Sequence, residues 1–196
     1  QGKASHTNPL SVEQAKNVIT LLEECDIHGL MYADDDMYYQ YPTGHVVRTL
    51  AWAANLPEQQ RPRFAQVENL VRQTETSHAI WKFATTHADV PTLNHFAAEV
   101  EKQLGLACEW SWQDQVDIAQ TGNSKGKLLQ QWLGEQGISM KDVVAFGDNF
   151  NDISMLEGVG LGVAMGNSAD EIKARADLVI GSNEEPSIAD VIRTRI

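Results

Sequence analysis

The stretch 122–196 alternates helical patterns with short runs that are apolar at every position, and no other feature narrows the possible folds so far. Residues 143–146, 161–165 and 178–180 are such runs, separated by helical segments at 125–136, 151–157 and 169–176 and followed by a closing helix at 188–195. A strand that is apolar on both faces needs cover on both sides, and strands joined through helices run parallel. The expectation is therefore a Rossmann-like parallel sheet, and a partial one, because three short strands make a thin member of that class.

Residues 10–120 read differently. Ser11 can cap a helix running through Val12, Ala15, Val18, Ile19 and Leu22, whose spacing follows the i, i+3, i+4, i+7 pattern. Two strand-like runs, 27–33 and 37–41, flank Asp34, Asp35 and Asp36 and predict a hairpin with an acidic turn. A weaker helix at 46–55 leads into a polar, proline-bearing connector at 57–62. A helix at 67–72, a strand at 79–85, a helix at 92–104 and a strand at 107–119 follow, with Leu21, Leu22, Ile80 and Phe83 assigned to the core. This order predicts an α+β layer of antiparallel strands with helices covering one face. The division is a polar, aperiodic leader at 1–9, an α+β domain at 10–120 and the parallel unit at 121–196. The chain opens on Gln1 and not Met, so it is expected to be a piece of something longer.

With 15 Lys plus Arg against 27 Asp plus Glu, the net charge is −12. Such a surface argues against a protein that grips nucleic acid or anionic lipid broadly. No apolar run reaches the roughly 18 residues that cross a bilayer, so the cytoplasm is the expected compartment and a membrane is not an expected partner. Cys25 and Cys108 are too few and too far apart for a disulfide framework or a zinc site and are expected to be buried thiols.

Chemistry concentrates at two places. Gly147-Asp148-Asn149-Phe150-Asn151-Asp152 stands directly after the strand at 143–146 and opens a helix, at the carboxyl end of a parallel strand where such sheets bind ligands. Two carboxylates in one crevice repel unless a cation intervenes, and all-oxygen ligation suits Mg²⁺. A helix cap would need only one of these residues, and three polar side chains with a glycine turn point to a site. The second place is Asn123-Ser124-Lys125-Gly126-Lys127 at the start of the helix at 125–136. Lysines there oppose the helix dipole unless an anion is bound, which makes Lys125 a candidate phosphate ligand; on this motif alone, lysines that reach into water fit equally well.

Ser124-Lys125-Gly126, the run 143–152, and Gly162 to Asn167 with Lys173 and Ala176-Asp177 after it together resemble the carboxyl-terminal motifs of the haloacid dehalogenase (HAD) superfamily. More narrowly they resemble its Cof-type phosphatases, which carry a large α/β cap of class IIB. Within 10–120, the segments His28 to Tyr32, Pro42-Thr43-Gly44-His45-Val46 and Cys108-Glu109-Trp110-Ser111-Trp112 look like the pyridoxal phosphate phosphatase branch.

The resemblance implies a HAD-like core at 121–196 preceded by a substrate-specificity cap at 10–120. It implies that Lys125 steadies the nucleophile and phosphate, that Asp148 ligates Mg²⁺, that Asn151 contacts phosphate, and that Asp152 holds the metal's water shell or orients the lysine. In the family, an amino-terminal Asp-x-Asp-Gly-Thr supplies the nucleophile and general acid, and that motif does not occur in this sequence. Asp34-Asp35-Asp36 mimics it, but Met37 and Tyr38 stand where Gly and Thr would wrap a phosphate, and the triad is expected to be a solvated turn. Trp110 and Trp112 alternate on one strand and would share a face, as a platform for an aromatic ring or, more commonly, as packing. His45 is either at the mouth of an active site or simply solvated.

The implied activity is Mg²⁺-dependent hydrolysis of small phosphorylated metabolites, pyridoxal 5′-phosphate or sugar phosphates, through an aspartyl-phosphate whose Asp lies in the missing amino-terminal part, with a cap that closes over the site. On that view the 196 residues alone are inactive, and the protein is a monomer or weak homo-oligomer. The alternative is a catalytically inactive, truncated phosphate-binding or interaction module.

Overall fold

The structure is a computed structural model that describes residues 7–42 and 44–195. Residues 1–6 of the expected leader and Thr43 of the Pro-Thr-Gly motif lie outside the described residues. The chain divides into two compact units, Gln1–Thr121 and Gly122–Ile196.

In the first unit, α1 (Val12–Glu24) begins as the sequence predicts: the Ser11 hydroxyl accepts from Gln14 N–H while the Gln14 side chain bonds back to Ser11 N–H. β1 (Gly29–Ala33) and β2 (Asp36–Tyr39) form the hairpin, closed by Asp34 and Asp35. Asp34 takes the left-handed conformation, φ 51°, that a two-residue turn demands. α2 (His45–Ala54), β3 (Arg63–Gln66), α3 (Leu70–Thr76), β4 (Ile80–Thr86), α4 (Val90–Leu104), β5 (Ala107–Trp112) and β6 (Gln115–Ala119) complete the unit.

The six strands run in the order β3-β2-β1-β4-β6-β5. Buried side chains of α1, α3 and α4 pack on Met31, Ala33, Ile80, Phe83, Val116 and Ile118 in one large core. Leu21, Leu22, Ile80 and Phe83 are all buried in it, as expected.

Four expectations need correction. The run 107–119 is not one strand but a hairpin, β5 and β6, turned at Gln113 and Asp114; unbroken alternation on both sides of the turn hid it. β3 escaped the sequence because only two of its four residues, Phe64 and Ala65, are apolar and none is buried, and it pairs parallel to β2 where antiparallel strands are expected. α2 is the crossover between those two strands, and helices therefore cover both faces: Val46 and Leu50 pack on Leu30, Tyr32, Met37 and Tyr39, opposite the large core. Cys25 and Cys108 are half-buried rather than buried, and burial pushes the Cys108 thiol up to about 12.

In the second unit, Ser124 caps α5 (Lys125–Gln136), and Gly137 closes it in the left-handed conformation. β7 (Val144–Gly147), α6 (Ile153–Leu156), β8 (Leu161–Ala164), α7 (Asp170–Lys173), β9 (Leu178–Val179) and α8 (Ser187–Arg195) follow. The strands are parallel in the order β7-β8-β9, over a small core of Ala145, Leu156, Val159, Ala164 and Ile172. This is the thin α/β sheet the apolar runs specify. Asp177, in the Ala-Asp motif, pins its register: its carboxylate accepts from Gly162 N–H at 2.8 Å, and its own N–H donates to Gly162 O.

Candidate active site

Because β7 and β8 are parallel, their carboxyl ends reach the same edge, and the segments that leave them are brought together. Gly147 must be glycine: an added Cβ would sit 2.6 Å from the Asp152 Cβ. That close approach lets the chain turn back, so that Asp152 Oδ2 accepts from the N–H groups of both Asp148 and Asn149, each at 3.0 Å. Asp152 is only 5% exposed. Its other oxygen, Oδ1, forms an ion pair with Lys125 Nζ.

Lys125 also donates to Asn151 Oδ1 at 3.3 Å. The two sequence motifs, 26 residues apart, therefore meet at one ammonium group. α5 reaches this position because Gly126 lies against α6, where an added Cβ would overlap the Ser154 carbonyl oxygen, and Gly126 N–H donates to Ser154 Oγ at 3.2 Å. Burial by itself would push the Asp152 carboxyl up, but the Lys125 ammonium and the two backbone N–H groups hold it below the usual carboxylate range.

Asp148 points outward and is exposed, with Asn167 Nδ2 at 3.4 Å from its Oδ2. Asn167 ends the Gly162–Asn167 motif, where the sequence by itself gives it no role. Its place just past β8 was the available signal, and its Oδ1 in turn accepts from Asn183 N–H at 2.9 Å.

The donor set fits Mg²⁺ in a limited way. Both Asp152 oxygens are engaged, and the described residues contain no cluster of three or more His, Cys, Asp or Glu able to cage an ion. Asp148 offers an exposed hard-oxygen ligand, and Mg²⁺ commonly takes one or two carboxylates with waters and a substrate phosphate for the rest.

In the first unit, the Asp34-Asp35-Asp36 triad is consumed by structure. Asp34 accepts from the N–H groups of His78 and Ala79, Asp36 pairs with Arg63, and Asp35 is open to water. Trp110 and Trp112 do not share a face. A bulge between them breaks the alternation, leaving Trp110 against the large core and Trp112 exposed beside Gln115. His45 is neither a loop residue nor fully solvated: it starts α2, its N–H donates to Thr86 Oγ1 at 2.9 Å, and burial holds its imidazole below the usual range.

The fold and these motifs define the class, and a family model described as haloacid dehalogenase-like hydrolase matches residues 1–192. The chain belongs to the haloacid dehalogenase-like hydrolase family. It is 58% identical over 189 residues to the pyridoxal phosphate phosphatase YbhA of Escherichia coli, covering 96% of this chain and 70% of that protein. It is 32% identical over 142 residues to the 5-amino-6-(5-phospho-D-ribitylamino)uracil phosphatase YcsE of Bacillus subtilis, covering 72% of this chain and 54% of that one. A haloacid dehalogenase-like hydrolase structure from B. subtilis superposes with a TM-score of 0.85 at 20% identity, over all of this chain and 74% of that one. No helix among the described residues is long and apolar enough to cross a membrane.

Proposed function

We propose that these 196 residues are the cap and carboxyl-terminal core of an Mg²⁺-dependent phosphomonoesterase for small phosphorylated metabolites, with pyridoxal 5′-phosphate and sugar phosphates the leading substrates. The observation that carries this reading is the convergence of Lys125, Asn151 and Asp152 beside Asp148 at the carboxyl end of β7. The 58% identity to a protein named for pyridoxal phosphate favours that substrate.

In this reading Asp152 is a positioning residue. Its buried carboxylate holds the Lys125 ammonium in place, so that it can neutralise a phosphoryl oxygen as charge develops there. Asn151 orients the same ammonium and is available to the phosphate. Asp148 would hold Mg²⁺, with any part for Asp152 in the metal's surroundings indirect; when bound, the ion supplies charge neutralisation for the transferring phosphoryl group. The nucleophile, an aspartate that would form an aspartyl-phosphate, is assigned to sequence beyond these 196 residues, since no Asp-x-Asp-Gly-Thr occurs in them. Residues 10–120 act as the specificity cap of this enzyme, which works in the cytoplasm as a monomer or weak homo-oligomer.

The test is phosphate release from pyridoxal 5′-phosphate and from sugar phosphates by the full-length protein. Asp148→Ala should lower the Mg²⁺-dependent rate about a hundred- to a thousandfold, the scale of losing one strong electrostatic stabiliser. Retention of most of the activity would sink the assignment.

A further inference from the structure

On the face of the first unit's sheet opposite the large core, α2 packs with residues of β1, β2 and β3, and its start meets the end of β4. Beyond its edge lies an open cavity of about 440 Å³, lined by His45, Arg48, Thr49 and Trp52 from α2 and by Trp112, Asp114 and Gln115 from the β5–β6 hairpin. That volume falls within the range of small-molecule sites. Trp52 is 56% exposed and Trp112 66% exposed, so two large indoles stand in the open on either side of one cavity.

Neither ring arrives there by default. The bulge after Trp110 turns Trp112 away from the core, and Gly44, with φ 51° and no Cβ to strike Thr86 Oγ1, docks the start of α2 against the end of β4. The Arg48–Asp114 ion pair, 3.3 Å, ties the two walls together.

A buried acceptor stands unmatched beside this wall. Gln115 in the cavity wall and Asp117 lie two positions apart on β6, so their side chains leave the same face of the sheet. Asp117 Oδ2 accepts from Lys82 Nζ and from Ser111 Oγ, each at 2.9 Å, while its Oδ1 is buried with no hydrogen-bond partner among the described residues. A buried carboxylate oxygen without a donor is costly unless a ligand or solvent group supplies one. The cavity thus offers two flat aromatic walls, which suit a planar ring better than a sugar with hydroxyls on every carbon.

We propose that this cavity binds a flat heteroaromatic ring held between Trp52 and Trp112, the kind of ring that a pyridoxal phosphate carries. The proposal rests on the phosphatase reading for its substrate and deepens it by selecting heteroaromatic over sugar phosphates.

Calorimetric titration of the 196-residue chain with pyridoxine, which carries no phosphate, tests it. Trp52→Ala and Trp112→Ala should each weaken binding about tenfold, the scale of one lost stacking partner. Trp112→Phe, which keeps a flat ring, should stay within about twofold, and Trp132→Ala in the second unit should change nothing. Glucose should not bind in the same concentration range. No pyridoxine binding, binding indifferent to both tryptophans, or glucose binding in its place would overturn the assignment. The two readings fail separately. Absent pyridoxine binding with Asp148-dependent phosphate release intact removes only the ring site, whereas tryptophan-dependent binding without that release removes only the phosphatase.

Discussion

The first unit buries Phe83, Phe96, Met31, Leu93 and Ile118 beneath a six-stranded sheet, whereas the second gathers five small or medium apolar residues beneath three short strands. Yet it is the second, thinner unit that carries a buried carboxylate, Asp152, inside a network of backbone and ammonium donors. Where apolar burial is modest, placement of polar groups rests on close backbone approach at Gly126 and Gly147 and on fully used hydrogen bonds. Where the core is large, the same precision is available to its surface: a bulge and a crossover helix place two tryptophans around a cavity.

That contrast predicts effects confined to one unit and graded in size. Phe83→Ala, which empties the centre of the larger core, should cost about 3–5 kcal/mol by denaturant unfolding. Its increased hydrogen exchange should fall within 7–121 and spare 122–195; matched losses in both would break the picture of two independent cores. Asp152→Asn should cost about 1–3 kcal/mol, because two N–H groups lose a charged acceptor and the half-exposed Lys125 loses a partner it can partly replace with water.

The same carboxylate gives a pH signature. Its folded pKa lies below the ordinary value of 3.8, so its contribution is complete above that value and is lost as pH falls below it, through the folded pKa. The fluorescence of Trp132, the tryptophan of the second unit, should report this acid loss in the wild type and a flatter profile in Asp152→Asn. Gly126→Ala should cost about 1–2 kcal/mol, since α5 must withdraw from the Ser154 carbonyl, and should loosen the Lys125–Asp152 pair without touching the first unit. Smallest of all, Lys16→Ala removes an exposed pair with Glu75 and should leave the denaturation midpoint within error.

How much of this was legible in the sequence differs by unit for a physical reason. In 122–195 the signals are local: apolar runs set the strands, Ser124 and Gly137 set the bounds of α5, and Gly-Asp-x-x-Asn-Asp marks the end of β7, so the parallel sheet and the site's components could be named from residue order. In the first unit, Ser11, Asp34 and the periodicity of α1 and α4 were equally local. β3 was not, because four residues, none of them buried, form a strand only when β2 offers them a free edge.

Residue types, helix phases, caps and the carboxyl-end position of Asp148 follow from short-range chemistry and were determined by the sequence alone. That Lys125 meets Asp152, that Trp110 and Trp112 part company, that α2 crosses to the far face, and that Asp117 keeps an unmatched oxygen are long-range outcomes. They depend on which strand pairs with which and in what register, and a one-residue bulge reverses every side chain beyond it.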